Sequence, residues 1–173
     1  IRNRVRDIAV KNQMTFFDLR KQVGWLRTLT LRQNVDGEIM FILQVAYPEP
    51  EWLESILEAV RNEFAQLVSI NYIINGKRND TFHDQNIVNW SGLPYLTERM
   101  DRPRGDGMLQ FRVGPKYFYQ TNSRQASVLY KAAWELAGLT GRELVYDLYT
   151  GTGTIANYVA RDCHKVIGIE YVE

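Results

Sequence analysis

The sequence predicts two architectures in succession: an α+β domain, then the opening βαβ portion of a doubly wound α/β domain. Three observations carry this. The Asp36-Gly37 turn between two apolar runs fixes an antiparallel hairpin. An amphipathic stripe after Pro50 leads into a third strand, giving the order strand–strand–helix–strand, which cannot be all parallel. Finally, ELVYDLYTGTGTIANYVARDCHKVIGIE reads as strand, glycine loop, helix, strand.

In chain order, residues 1–12 read as a short basic helix, with Val5, Ile8 and Ala9 at helical spacing. In LRTLTLRQN, Leu26, Thr28, Thr30 and Arg32 alternate with Arg27, Leu29 and Leu31, a strand pattern that the run EIMFILQVAY answers after the turn. Pro48, Glu49 and Pro50 open a helix, EWLESILEAVRNEFAQLV, whose apolar stripe is Trp52, Leu53, Ile56, Leu57, Val60, Phe64 and Leu67. SINYIING is the third strand, and QNIVNWSG, YLTERM and MLQFRVG are further short strands, the last two separated by the polar turn DRPRGDG. Asn122 or Ser123 caps the helix SRQASVLYKAAWELA, with Gln125 placed for a capping-box-like contact, and Gly138 ends it. The boundary between the domains is expected at 117/118, giving segments 1–117 and 118–173.

Composition sets the outer limits. The 173 residues carry a formal net charge of +1 with 45% hydrophobic and 24% charged residues, a globular composition. No apolar run approaches the roughly 18 residues of a membrane span. The N-terminus, IRNRVRDIAVKNQ, has no signal-peptide core. The chain begins with Ile, which is expected of a processed chain or of an excerpt from a longer one. One cysteine, Cys163, excludes an internal disulfide and any metal site built from this chain's own cysteines, and a cytoplasmic location is expected. Charge is uneven: residues 1–32 carry eight Lys or Arg against Asp7 and Asp18, a net of +6, and the remainder is at −5. A basic end suits a phosphate backbone, through Arg2, Arg4, Arg6 and Lys11, although charge alone favours a solvated helix face.

The glycine loop is the most informative segment. Glycines at Gly151 and Gly153 let a backbone approach a ligand closely, and Glu170 at the end of the next strand can accept hydrogen bonds from both hydroxyls of a ribose. An adenosine-type nucleoside is the ligand class. GTGTIA also satisfies the dinucleotide pattern, with Ala156 in its third position. Asp147, four residues before Gly151, favours a cofactor carrying sulfonium and ammonium charge over one carrying a pyrophosphate, and so favours S-adenosylmethionine.

FYQTN, followed by DLYTGTGTIA and VIGIEYV, closely resembles the bacterial RNA (uracil-C5)-methyltransferases, most nearly the branch acting on 23S ribosomal RNA. INYIINGKRNDTFHDQ and GWLRTLTLR resemble the same family's central domain, so the resemblance covers nearly the whole chain. It implies an α+β accessory domain followed by the first βαβ portion of an α/β Rossmann-like methyltransferase domain. It implies S-adenosylmethionine as cofactor, with Gln120, Tyr149, Gly151, Thr154 and Glu170 as its contacts; Thr154 stands where relatives often have Asn. It implies an RNA partner, 23S ribosomal RNA, and no membrane.

The family's catalytic cysteine, which adds to C6 of uracil so that C5 can attack the methyl group, and its Glu-type base belong to a later part of the family's sequence. This chain therefore supplies no catalytic residue and no metal site, and alone is expected to be inactive. Cys163 reads as a small structural thiol, and neither His164 nor His83 is assigned chemistry. A single βαβ unit is too few strands to bury both faces of a doubly wound sheet, which again points to part of a longer enzyme. Two other readings stay open at this point: a non-catalytic RNA-binding module and a nicotinamide-dependent oxidoreductase fragment.

Overall fold

A computed structural model describes residues 1–171; Val172, the last residue of VIGIEYV, and Glu173 lie outside the described residues. The chain divides into two compact units, 1–96 with 114–116, and 97–113 with the segment from Tyr117 onward.

The first unit begins with α1 (Arg2–Lys11), which buries Val5, Ile8 and Ala9 as their spacing requires. Its four-stranded sheet has the order β1 (Leu26–Gln33), β2 (Ile39–Val45), β3 (Leu67–Ile74), β4 (Ile87–Gly92). β1 and β2 are the antiparallel hairpin expected around Asp36-Gly37. β2 and β3 are parallel, because α2 (Pro50–Glu63) carries the chain back between them, and β4 returns antiparallel to β3.

The helix is shorter than its apolar stripe. The spacing that runs on through Phe64 and Leu67 is helical by sequence alone, but the backbone leaves the helix at Phe64. Gln66 then accepts a hydrogen bond from Ile39 and Leu67 pairs in the sheet. One face of the sheet packs Phe41, Leu43, Val45 and Ile70 against Ile56, Leu57 and Val60 of α2 and the apolar face of α1. Met40, Ile42, Ile73 and Leu96 form a smaller cluster with Phe82 and Ile87. Gly24 sets up the entry to β1: its φ is +114°, and a Cβ there would lie 2.2 Å from the Phe16 carbonyl oxygen, so only glycine fits.

The second unit contains β5 (Leu96–Asp101) paired with β6 (Met108–Val113), α3 (Ser123–Ala137), β7 (Leu144–Leu148), α4 (Thr154–Val159) and β8 (Lys165–Ile169). The expected boundary at 117/118 does not coincide with this division, since β5 and β6 share a core with α3 and α4. Met100, Leu109, Phe111 and Val113 pack with Ala126, Tyr130, Tyr158 and Val159. The turn between β5 and β6 is also tied down. Arg104 Nε donates to Asp162 at 2.6 Å, Trp134 Nε1 donates to the other oxygen of the same carboxylate at 3.0 Å, and the guanidinium lies over the Trp134 ring. Asn122 caps α3 by accepting from the Gln125 backbone N–H at 3.1 Å, and Gly138 ends it in the left-handed conformation. β7 and β8 pair in parallel, as a βαβ unit demands.

Candidate functional site

The site is built where β7 stops. Tyr149 has φ +61°, an uncommon conformation for a bulky residue, and Gly151 and Gly153 follow with φ +53° and +72°. These three turns fold residues 149–153 into a loop at the N-terminus of α4. Asp147 staples the loop from beneath: one carboxylate oxygen accepts from Thr150 Oγ1 at 2.7 Å and from the Ala156 backbone N–H at 3.0 Å. Glu170 closes it from the end of β8. One of its oxygens accepts from the Gly151 N–H at 2.8 Å, the other from the Tyr171 N–H at 2.9 Å.

The loop borders a cleft of ≈ 140 Å³ that brings together four of the five residues singled out in sequence: Gln120, Tyr149, Gly151 and Thr154. Glu170 adjoins it through Gly151. Tyr149 is 86% exposed, so it is not a strand-end core aromatic. Gln120 is not the helix cap, a role Asn122 takes; it lines the cleft together with Tyr130. Thr154 is buried, and its hydroxyl lies 2.9 Å from that of Thr152.

Several residues around the cleft are not evident from motif spacing. Tyr130 and Tyr119 form part of its wall. Burial is the main influence holding both phenols above their ordinary value, with the Glu98 charge adding for Tyr119 and Asp147 for Tyr130. Glu98 is itself buried and accepts from Ser123 Oγ at 3.2 Å. Its signal was present in the alternation of LTERM, where Leu96, Glu98 and Met100 share one face.

Cys163 is buried, its thiol directed at the Val159 and Ala160 carbonyl oxygens, and burial first, then the Glu143 and Asp162 charges, pushes it above the usual thiol range. A thiol so held is a poor nucleophile. His83 stacks on Phe82 and His164 lies outside the cleft. Among the described residues no cluster of His, Cys, Asp or Glu could hold a metal ion, and no helix is long and apolar enough to cross a membrane.

The basic N-terminal region is less uniform than its composition. Arg4 is paired with Glu63 at 2.6 Å. The Arg27 side chain is 1% exposed, and Arg32 donates to the Gly114 carbonyl oxygen. Arg2, Arg6 and Lys11 remain on α1.

No family model matches the sequence. A protein of Bacteroides thetaiotaomicron named as an uncharacterized RNA methyltransferase is 49% identical over 175 residues, covering 99% of this chain and 37% of the relative. One of Porphyromonas gingivalis, named likewise, is 52% identical over 157 residues, covering 91% of this chain and 32% of the relative. Among solved structures, the Pyrococcus abyssi tRNA (uracil-54, C5)-methyltransferase in complex with S-adenosyl-L-homocysteine matches with a TM-score of 0.72 and 25% identity, over 97% of this chain and 38% of that one. The chain thus spans about a third of the length of these relatives. Over nearly its whole length the chain is thus similar to part of proteins named as RNA methyltransferases.

Proposed function

We propose that this chain is part of an S-adenosylmethionine-dependent methyltransferase that modifies C5 of a uridine in RNA, and that its second unit holds one side of the cofactor. The observation that carries the reading is the loop at the end of β7. It is fixed from below by Asp147 and from the side by Glu170, and it displays an exposed Tyr149 at the edge of the cleft. When bound, the cofactor supplies an electrophilic methyl group on a sulfonium. The donor and acceptor chemistry fits it. Glu170 offers acceptors for the ribose hydroxyls, Tyr149 a ring face, Gln120 an amide, Thr154 a hydroxyl, and Gly151 an approach free of side chain. Asp147 places negative charge where a pyrophosphate would be repelled, which argues against a nicotinamide dinucleotide.

The segment 118–173 supplies the start of the cofactor domain in this reading, and the nucleophile and general base lie elsewhere in a longer protein. Uracil C5 as the target rests on the FYQTN and DLYTGTG motifs together with the named chemistry of the Pyrococcus neighbour. The motifs favour 23S ribosomal RNA as substrate. The Pyrococcus neighbour, a transfer RNA methyltransferase, favours transfer RNA instead, and transfer of labelled methyl groups to each RNA in turn separates the two.

Replacing Glu170 tests the cofactor site directly. In the protein at the length of its relatives, Glu170→Ala is expected to weaken S-adenosylmethionine binding by about 1.5–3 kcal/mol, the size of a charge-assisted hydrogen bond. Calorimetric titration measures it, and unchanged affinity would remove Glu170 from the site.

A further inference from the structure

A second cavity lies far from the glycine loop in sequence. It is a groove of ≈ 440 Å³ on the first unit, between α1 and β1. Val5, Leu26, Leu29, Leu31 and Leu43 make its floor, and Phe16 stands in its wall. Phe16 is 51% and Leu31 40% exposed, so the apolar surface is open to solvent. The rim carries Arg2 and Arg6, one helical turn apart and therefore on the same side of α1. Arg2 has no ion-pair partner among the described residues, and Arg6 has only the exposed Asp7 at 3.4 Å, a weak pair. Among the described residues no carboxylate lines the groove.

Arg27 also lines it, but its guanidinium is committed. It donates to the carbonyl oxygens of Asn75, Lys77 and Asn79 and to Asp80, and lies 4.0 Å from the Phe17 ring centroid. Arg4, between the two rim arginines in sequence, turns instead to Glu63 on α2. The local arrangement therefore selects two cations out of a basic segment and sets them beside an apolar slot with an aromatic wall.

We propose that this groove is a docking site for one nucleotide of a single-stranded RNA. The base lies on the leucine floor against Phe16, and the flanking phosphates are held by Arg2 and Arg6. The inference rests on the reading of the protein as acting on RNA. Guanidinium pairs suit phosphate oxygens, and a base offers what the floor and ring take, a flat apolar face. An acidic peptide would satisfy the arginines but has no need of the aromatic wall.

Binding of a labelled single-stranded RNA to the protein at the length of its relatives, followed by fluorescence anisotropy across a salt series, tests this. Replacing Arg2 and Arg6 together by Gln should weaken binding and lower the magnitude of the salt slope by about 1.4, given about 0.7 per phosphate on single strands. Arg4→Gln should leave the slope as it is. Phe16→Ala should weaken binding about 5- to 150-fold, the range for loss of one stacked base, with the slope unchanged. Phe16→Leu, which keeps apolar bulk and so guards against a folding defect, should lose most of the same affinity.

An unaltered slope in the double variant overturns the proposal, as does wild-type binding by both Phe16 variants. So does a groove that takes an acidic peptide but no RNA. Cofactor affinity should be the same in every variant. Failure of the unsubstituted full-length protein to bind S-adenosylhomocysteine would count against the methyltransferase reading, whereas the slope and Phe16 results judge the groove.

Discussion

Arg27 is one of eight basic residues near the N-terminus, and its surroundings give it a role that its charge does not. It donates to three backbone carbonyls and to Asp80 from a side chain that is 1% exposed. Arg27→Ala leaves those acceptors without their donor and is expected to cost about 3–5 kcal/mol, measurable by urea unfolding. Charge counting could not separate Arg27 from Arg2, because the carbonyls that bind it come from residues some fifty positions later. Glu98 shows the opposite case, since its burial follows from strand alternation once Leu96 and Met100 are taken as inward.

The cofactor contacts proposed for Gln120 and Tyr149 rest on the resemblance to a family; residue type alone reads them as a cap and a core aromatic. Tyr149 also holds a left-handed backbone with its ring almost wholly exposed. Such a conformation costs a non-glycine residue about 1–2 kcal/mol, and Asn tolerates it better. Tyr149→Asn is therefore expected to raise the thermal midpoint slightly while weakening the proposed cofactor contact. Calorimetric melting and S-adenosylhomocysteine titration read the two effects separately, and a lowered midpoint would show that the tyrosine stabilises the loop.

At the scale of the element, the connection from α3 to β7 is governed by one carboxylate. Glu143 accepts from the Thr140 hydroxyl and from the N–H groups of Thr140, Gly141 and Arg142. The Thr140 hydroxyl bond first, then the backbone bonds, bring its pKa from 4.5 down to about 2. A carboxylate depressed in this way stabilises the fold above its unfolded pKa, and the contribution is lost as pH falls through the folded one. Wild type should therefore exceed Glu143→Gln in stability at neutral pH, and the two should converge between about pH 4.5 and pH 2. Thermal melts across that range measure it; a difference that persists at pH 2 would assign the effect to something other than ionisation.

Element types and order were readable, since the alternation of β5 and β6 differs plainly from the 3.6-residue apolar stripe of α2. Element ends were less so. α2 stops at Glu63 although its stripe continues, because the backbone of Leu67 is needed by β2, a demand that no local pattern records. The membership of the β5–β6 pair was equally hidden, as the Arg104–Asp162 bond joins positions 58 residues apart.

For the whole molecule, the β7–β8 sheet is covered on one face only by the described residues. Val145 and Val166 lie toward α4 in the core cluster, while Leu144, Tyr146, Leu148 and Ile169 are each about half exposed. The expectation that two parallel strands cannot bury both faces describes this surface well. An open apolar face of this kind promotes association. The 173-residue chain is accordingly expected to bind a hydrophobic dye and to self-associate. Leu144→Thr with Tyr146→Thr, which keeps strand-forming residues outside the cleft, should reduce both without loss of helix signal. Sedimentation and dye fluorescence provide the check, and unchanged association would place the adhesive surface elsewhere.

The division of the two cores along the chain bears on how the protein comes to be folded during synthesis. The main cluster of the first unit draws its buried residues from Val5 to Ile70, whereas that of the second needs residues from Met100 to Val166. The first core is therefore assembled wholly from residues that leave the ribosome before the second has any of its own. Domains that close in this order keep early apolar segments out of reach of later ones. The parallel β7–β8 pair is the late step, since its partners are joined only after the glycine loop and α4 have been made. Slow pairing at that stage leaves an already folded first unit on the nascent chain while the cofactor loop is still forming.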